Sequence, residues 1–161
     1  MSDIWRVEMN RHSWRDLREA SGSAAGIPHA LEGMLTADSP NAVDVAYWKL
    51  ENHVVVQGEL FEAAPHVVSV LLAALLDNSP SFIRIGILEL LFQILGGESH
   101  ESEGERDLGP KCRDLAREGL WLLYGELGAG LPGQRAAALE VLNLVETDRG
   151  RLRAIVGSIS I

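Results

Sequence analysis

The sequence predicts an all-α fold, a solenoid of about three antiparallel helix pairs behind an N-terminal cap. Three observations carry that prediction. Segments rich in Ala, Leu and Val repeat their apolar residues at spacings of three and four. Asn-Gly and Asp-Gly hairpin signals are absent. The chain also aligns with itself at a separation near forty residues.

That alignment is specific. Asp38-Ser39-Pro40 falls on Asn78-Ser79-Pro80, and at the same offset Leu31 falls on Leu71, Leu35 on Leu75, Ala46 on Gly86 and Leu50 on Leu90. A second offset, 11 residues longer, sets Arg84 on Arg135, Leu88 on Leu139, Glu89 on Glu140 and Leu91 on Leu142. The excess fits the stretch "GGESHESEGERDLGP". The reading is one domain, 1–161, with 1–24 as the cap and 97–109 as an acidic loop insertion. As a surface insertion, Ser99 to Arg106 is expected to be removable without loss of the fold.

Along the chain, Trp5 and Trp14 lie in the less patterned first segment and are expected to cover the open first end. In "AGIPHALEGMLTA" Pro28 stands near a helix start, and Ile27, Leu31, Met34 and Leu35 form one stripe. "NAVDVAYWKLEN" follows Ser39-Pro40. Pro65 opens "APHVVSVLLAALLD" in the first turn, where its missing N–H costs nothing. Ser79 is the expected cap of "SPSFIRIGILELLFQILGG", which stops at Gly96-Gly97. Pro110 heads "PKCRDLAREGLWLLYGEL", read as a single helix. "PGQRAAALEVLNLVE" and "DRGRLRAIVGSI" complete seven or eight helices and no strand. Trp48 and Trp121, inside helices, are expected in the core.

"ENHVVVQGELFEAAP" reads as the joint between the first pair and the helix opening at Pro65. Gly58 supplies a permissive turn. Val54, Val56, Leu60 and Phe61 can bury beneath it, leaving Asn52, Gln57, Glu59 and Glu62 to cap helix ends or face a partner.

The chain carries 23 acidic and 14 basic residues, a formal net charge of −9. That excludes the basic footprint a nucleic-acid binder needs and suits a basic protein partner. Residues 1–107 hold 17 Asp/Glu against 7 Lys/Arg, whereas residues 108–161 hold 6 against 7. Any electrostatic contact is thus expected in the first two thirds. Cys112 is the only cysteine, so no disulfide within the chain and no cysteine metal site is expected. The histidines, His12, His29, His53, His66 and His100, show no metal-ligand spacing. "HESE" (100–103) reads as a solvated charge run. No nucleophile constellation or phosphate loop is visible, and no cofactor is expected. The longest apolar run, Val67 to Leu76, is too short to cross a bilayer, and the N-terminus has no signal-like apolar core. The expectation is a cytoplasmic protein without membrane contact.

The repeat pattern resembles HEAT/armadillo-type repeats: a polar turn ends helix A, Pro opens helix B, and a charged residue (Asp44, Arg84, Arg135) sits early in helix B. A narrower resemblance covers Tyr47 to Leu76, about a fifth of the chain. It rests on Tyr47, Trp48, Glu51, Asn52, Val54, Val56, Gln57, Gly58, Phe61, Ala63, Ala64 and Pro65. This segment is similar to small HEAT-like immunity proteins of bacterial polymorphic-toxin systems. That resemblance implies a non-enzymatic protein that binds a cognate toxin domain stoichiometrically and blocks its active site; a nuclease-like toxin would present a basic cleft. The partner-binding candidates are Glu51, Asn52, Gln57, Glu59 and Glu62, with Glu101 and Glu103 from the acidic loop. A general HEAT-type adaptor, or an enzyme on a HEAT-like scaffold such as a DNA glycosylase, are the alternatives. The second would need a basic groove that the charge does not supply.

Overall fold

A computed structural model describes residues 3–159. The chain is mostly helical, with nine α-helices among the described residues: α1 (Ile4–Asn10), α2 (Ile27–Leu35), α3 (Pro40–Val54), α4 (Ala64–Ala74), α5 (Ser81–Leu95), α6 (Leu108–Arg117), α7 (Leu120–Ala129), α8 (Pro132–Val145) and α9 (Arg149–Ser158). Among them no helix is long and apolar enough to cross a membrane.

Most helix starts follow the expected chemistry, although α6 begins two residues before Pro110. Ser39 Oγ accepts from Ala42 N at 3.1 Å and caps α3, with Pro40 next. Its repeat counterpart Ser79 does not cap α5. Pro80 holds the cap position without a side-chain bond, and Ser79 Oγ instead accepts from Arg84 Nη1 at 3.3 Å. Arg84 stands where the first pair has Asp44, and it draws the hydroxyl away. Its guanidinium also donates to Leu75 O at 2.8 Å and pairs with Glu126 of α7, binding the α4–α5 turn to the next pair.

The segment read as one helix from Pro110 is two. The break lies at Glu118-Gly119, because this corner presses on α4: a Cβ on Gly119 would meet Leu72 Cδ2 at 2.8 Å.

α2 packs along α3 and α7 along α8, while α5 packs against both α3 and α8. α4 is flanked by α1 and α6 rather than by α2 and α7. Trp5 and Trp14 are buried, at 4% and 6% exposure. α1 covers α4 rather than the outer face of α2. Of the aligned leucines, Leu31 and Leu71, Leu35 and Leu75, Leu50 and Leu90, and Leu91 and Leu142 are all interior, whereas Leu139, aligned with buried Leu88, is only half-buried. α5 contributes Ile87, Leu88, Leu90, Leu91, Ile94 and Leu95, each wholly buried. A helix apolar on most sides belongs between neighbours, and each such side chain contributes roughly 2 kcal/mol. α5 and α3 approach closely, since a Cβ on Gly86 would meet Val43 Cγ1 at 2.7 Å.

Short strands appear where none was expected. β1 (Arg18–Glu19) pairs with β2 (Gly22–Ser23). β3 (Val55–Val56) and β4 (Glu59–Leu60) form an antiparallel hairpin, and β5 (Glu98–Ser99) adds to β4 in parallel. The hairpin turns on Gln57 and Gly58, with φ of 52° and 80°. Two successive residues of positive φ match the twist of paired strands, the role usually taken by Asn-Gly; Gln57 concealed the signal. Val55 is buried there, and Val56 only half-buried.

Candidate partner-binding surface

The acidic residues separate into two groups. Glu62 and Glu103 face inward. The Glu103 side chain is 0% exposed and its Oε2 accepts from Arg18 Nη2 at 2.8 Å. Its Oε1 accepts from Glu62 N at 3.2 Å. Glu62 Oε1 accepts from Arg18 N at 3.0 Å, and its other oxygen pairs with Arg106. The acidic loop is therefore an ordered clasp joining β1, through Arg18, to the α3–α4 joint, through Glu62. Ser99 Oγ accepts from Leu108 N at 2.8 Å and closes its far end. His100 stacks on Phe61 with centroids 4.9 Å apart. A buried, arginine-paired carboxylate cannot meet a partner, so Glu103 leaves the set of contact candidates, and Glu62, with a side chain only 16% exposed, leaves with it. Local sequence gave no signal of this, since Arg18 lies 85 residues from Glu103.

Of the other candidates, Glu51 is half-buried on α3 and Asn52 is exposed, its Nδ2 donating to Trp48 O at 3.2 Å. Gln57, Glu59 and Glu101 are exposed. Glu59 Oε2 lies 3.7 Å from His100 Nε2.

The second acidic group spans three packed helices: Asp44 on α3, Glu89 on α5 and Glu140 on α8, all exposed. Partial burial raises the Glu89 carboxyl above the usual carboxylate range, and the charges of Asp44 and Glu140 raise it further. These acids thus share one field. Burial pushes the Tyr47 hydroxyl to about 12, and Glu51 and then Glu89 add to the rise. Among the described residues none of Asp44, Glu89 and Glu140 forms an ion pair. Beside them Trp48 is 58% exposed and Val45 52% exposed. The expectation of a core Trp48 is corrected, because it lies on the side of α3 away from the stripe of Val43, Ala46, Leu50 and Val54 that is buried. Tyr47, edge-on to Trp48 at 5.7 Å, packs against the core instead. Trp121 is likewise outside, 65% exposed, with Arg151 over its ring at 5.3 Å. The helical period locates an apolar stripe but does not say which of two adjacent aromatics turns inward.

Comparison with protein-family models, curated proteins and solved structures found no match.

Two side-chain clusters resemble nucleophile relays without forming one. Ser69 Oγ lies 3.4 Å from His12 Nε2, and His12 Nδ1 lies 2.9 Å from His66 Nδ1. Glu8 Oε1 occupies the same Nε2 at 3.1 Å, however, and Ser69 donates to His66 O at 3.0 Å. In the second cluster Ser21 Oγ, at 3.4 Å, and Glu19 Oε2, at 2.5 Å, both meet Nδ1 of His53, so no proton can pass through the ring. Among the described residues no group of three or more His, Cys, Asp or Glu is placed to hold a metal ion. Burial pushes the Cys112 thiol up to about 12, which suits a packing residue.

Proposed function

We propose that this chain is an immunity protein: a HEAT-like helical-repeat module that binds a cognate bacterial toxin domain one-to-one in the cytoplasm and occludes its active site. The observation that carries this reading is the shared field of Asp44, Glu89 and Glu140 across α3, α5 and α8, beside exposed Trp48. Unpaired acids held on a rigid helical face cost little to organise against a basic surface, and a Trp beside them is the kind of residue that anchors interfaces. Tyr47, Trp48, Glu51 and Asn52, on which the family resemblance rests, lie on the same helix. The side-by-side packing of α3, α5 and α8 supports the solenoid assignment. In this reading Glu51 and Asn52 belong to the contact, Gln57, Glu59 and Glu101 form its rim, and the acids steer association with a basic, nuclease-like cleft.

The test is co-expression with candidate toxin domains of the same genome, using Asp44→Lys/Glu89→Lys/Glu140→Lys together and Trp48→Ala separately. The triple reversal should slow association at least tenfold and remove most of its salt dependence. Trp48→Ala should mainly speed dissociation. Glu101→Lys should do far less. If the triple variant protects cells and associates as the parent does, occlusion through this face is wrong. A partner bound without inhibition would favour the adaptor alternative.

A further inference from the structure

α1 is held to α4 by an unusual contact. Its C-terminal neighbour His12 and His66 of α4 meet Nδ1 to Nδ1 at 2.9 Å, edge-on, with ring centroids 4.5 Å apart. Only one proton fits between two nitrogens at that separation: one ring donates, and the other must offer a lone pair. We propose that α1 is a proton-released latch, closed while the His12–His66 pair holds one shared proton and opened when both rings carry their own. This inference does not depend on the proposed function.

The surroundings make the closed state selective for one proton. From α1, Glu8 Oε1 meets His12 Nε2 at 3.1 Å, and Arg11 binds Glu8 at 2.6 and 2.9 Å. From α4, Ser69 Oγ lies 3.4 Å from the same Nε2. Trp14 packs its ring edge-on to both imidazoles, at 5.5 and 6.2 Å. From α6, Lys111 adds a positive charge near His66, as does Arg11; Glu8 alone opposes them. Burial, then His12, Lys111 and Arg11, depress His66 to about 4. An unfolded histidine titrates near 6.5. The docked state therefore takes up fewer protons than the undocked one, and docking weakens as pH falls from about 6.5 towards 4.

What the latch secures is apolar. Trp5 and Met9 are the buried residues of α1. Trp14 Nε1 donates to Met9 O at 2.7 Å, so the end of α1 and the turn after it move as one piece. Opening would expose these three side chains and the face of α4 beneath them. α1 has seven residues, too few to persist as an isolated helix in water, so its release and its melting coincide.

The experiment uses Trp48→Phe/Trp121→Phe, which leaves Trp5 and Trp14 as reporters, titrated from pH 8 to 3. Their emission should shift to the red with a midpoint between pH 6.5 and 4, while far-UV circular dichroism retains most of its helical signal. Adding His66→Gln, whose amide can pair with His12 as donor or acceptor but does not titrate, should lower that midpoint by at least one pH unit. The same midpoint with and without His66→Gln overturns the latch, as does an emission change that merely follows global unfolding. Should His66→Gln fail to fold, imidazole ¹⁵N shifts and exchange of the Trp14 indole proton in the unmodified protein decide the matter. The indole proton should lose protection as His66 gains its charge, and continued protection rejects the proposal.

Discussion

The acidic clasp at residues 97–109 and the acidic face of α3, α5 and α8 carry similar charge and do opposite things with it. In the clasp, Glu62 and Glu103 are matched to Arg18 and Arg106 and serve to join loops. On the helical face, Asp44, Glu89 and Glu140 remain in solvent, and the charges of Asp44 and Glu140 add to the rise that partial burial gives the Glu89 carboxyl. The −9 balance counts the two groups alike. What separates them is backbone. A loop can fold back until carboxylate meets guanidinium, whereas carboxylates fixed on packed helices stay at the spacing the packing sets.

The sharpest way to break the contrast is to remove the clasp. Deleting Ser99 to Arg106 takes away Glu103, the β4–β5 pairing and the Ser99 hydroxyl that closes the loop. The earlier expectation that this segment is dispensable is reversed. Denaturant unfolding should show a loss of about 2–4 kcal/mol, from several lost hydrogen bonds at about 1 kcal/mol each and an ion pair discounted for the partly solvated Arg18. Glu103→Gln, which keeps the shape and removes the charge, should lose about 1–2 kcal/mol because Arg18 is partly solvated. An unchanged midpoint for Glu103→Gln would return the loop acids to the solvated class.

The face depends on how closely α3 and α5 approach. Gly86→Ala brings a methyl against Val43 and should destabilise by about 1–3 kcal/mol, read as a lower thermal midpoint. Val43→Ala in the same background should restore part of the loss.

A pH series separates paired acids from unpaired ones. Glu146 is held to about 2 by its hydrogen bonds from Arg151, against burial, with Tyr124 and the Asp148 backbone assisting. Glu8 is likewise held to about 2, first by Arg11. Folded values below the unfolded 4.5 give stability that is complete above pH 4.5 and lost as pH falls towards 2. Glu89 has the opposite sign, because its raised folded value costs stability at neutral pH. Glu146→Gln should therefore flatten the acid limb of the stability curve. Glu89→Gln should raise neutral-pH stability by a few tenths of a kcal/mol, the smallest effect here, within the usual range for surface changes.

Much of the fold was legible in the sequence because helices announce themselves locally. Ser39-Pro40, Pro65 and Gly96 stand at or next to helix ends, and the forty-residue register placed Leu31 with Leu71 and Leu50 with Leu90. The misses share a cause in long-range geometry. Arg84 displaced Ser79 from its cap by bonding across the turn. The pressure of Leu72 on Gly119 divided one expected helix. Trp48 turned outward because its neighbour Tyr47 was the one facing the core. His12 and His66 lie 54 residues apart and met only through packing. Of the expected contact residues, Glu51, Asn52, Gln57, Glu59 and Glu101 remain accessible to some degree. The acidic face of Asp44, Glu89 and Glu140 was visible only as the recurrence of Glu89 and Glu140 at matched offsets.

The parallel pairing of Glu59-Leu60 with Glu98-Ser99 has a kinetic consequence. It joins points about forty residues apart, with α4 and α5 in the intervening chain. The loop entropy of that closure is offset only when both helices have already docked. The ladder is therefore a late event on the folding route. Substitutions that weaken it, at Leu60 or Ser99, should leave the refolding rate nearly unchanged and accelerate unfolding. On that expectation, two pairs of residues that add little to the content of regular structure slow the loss of the fold without setting how fast it forms.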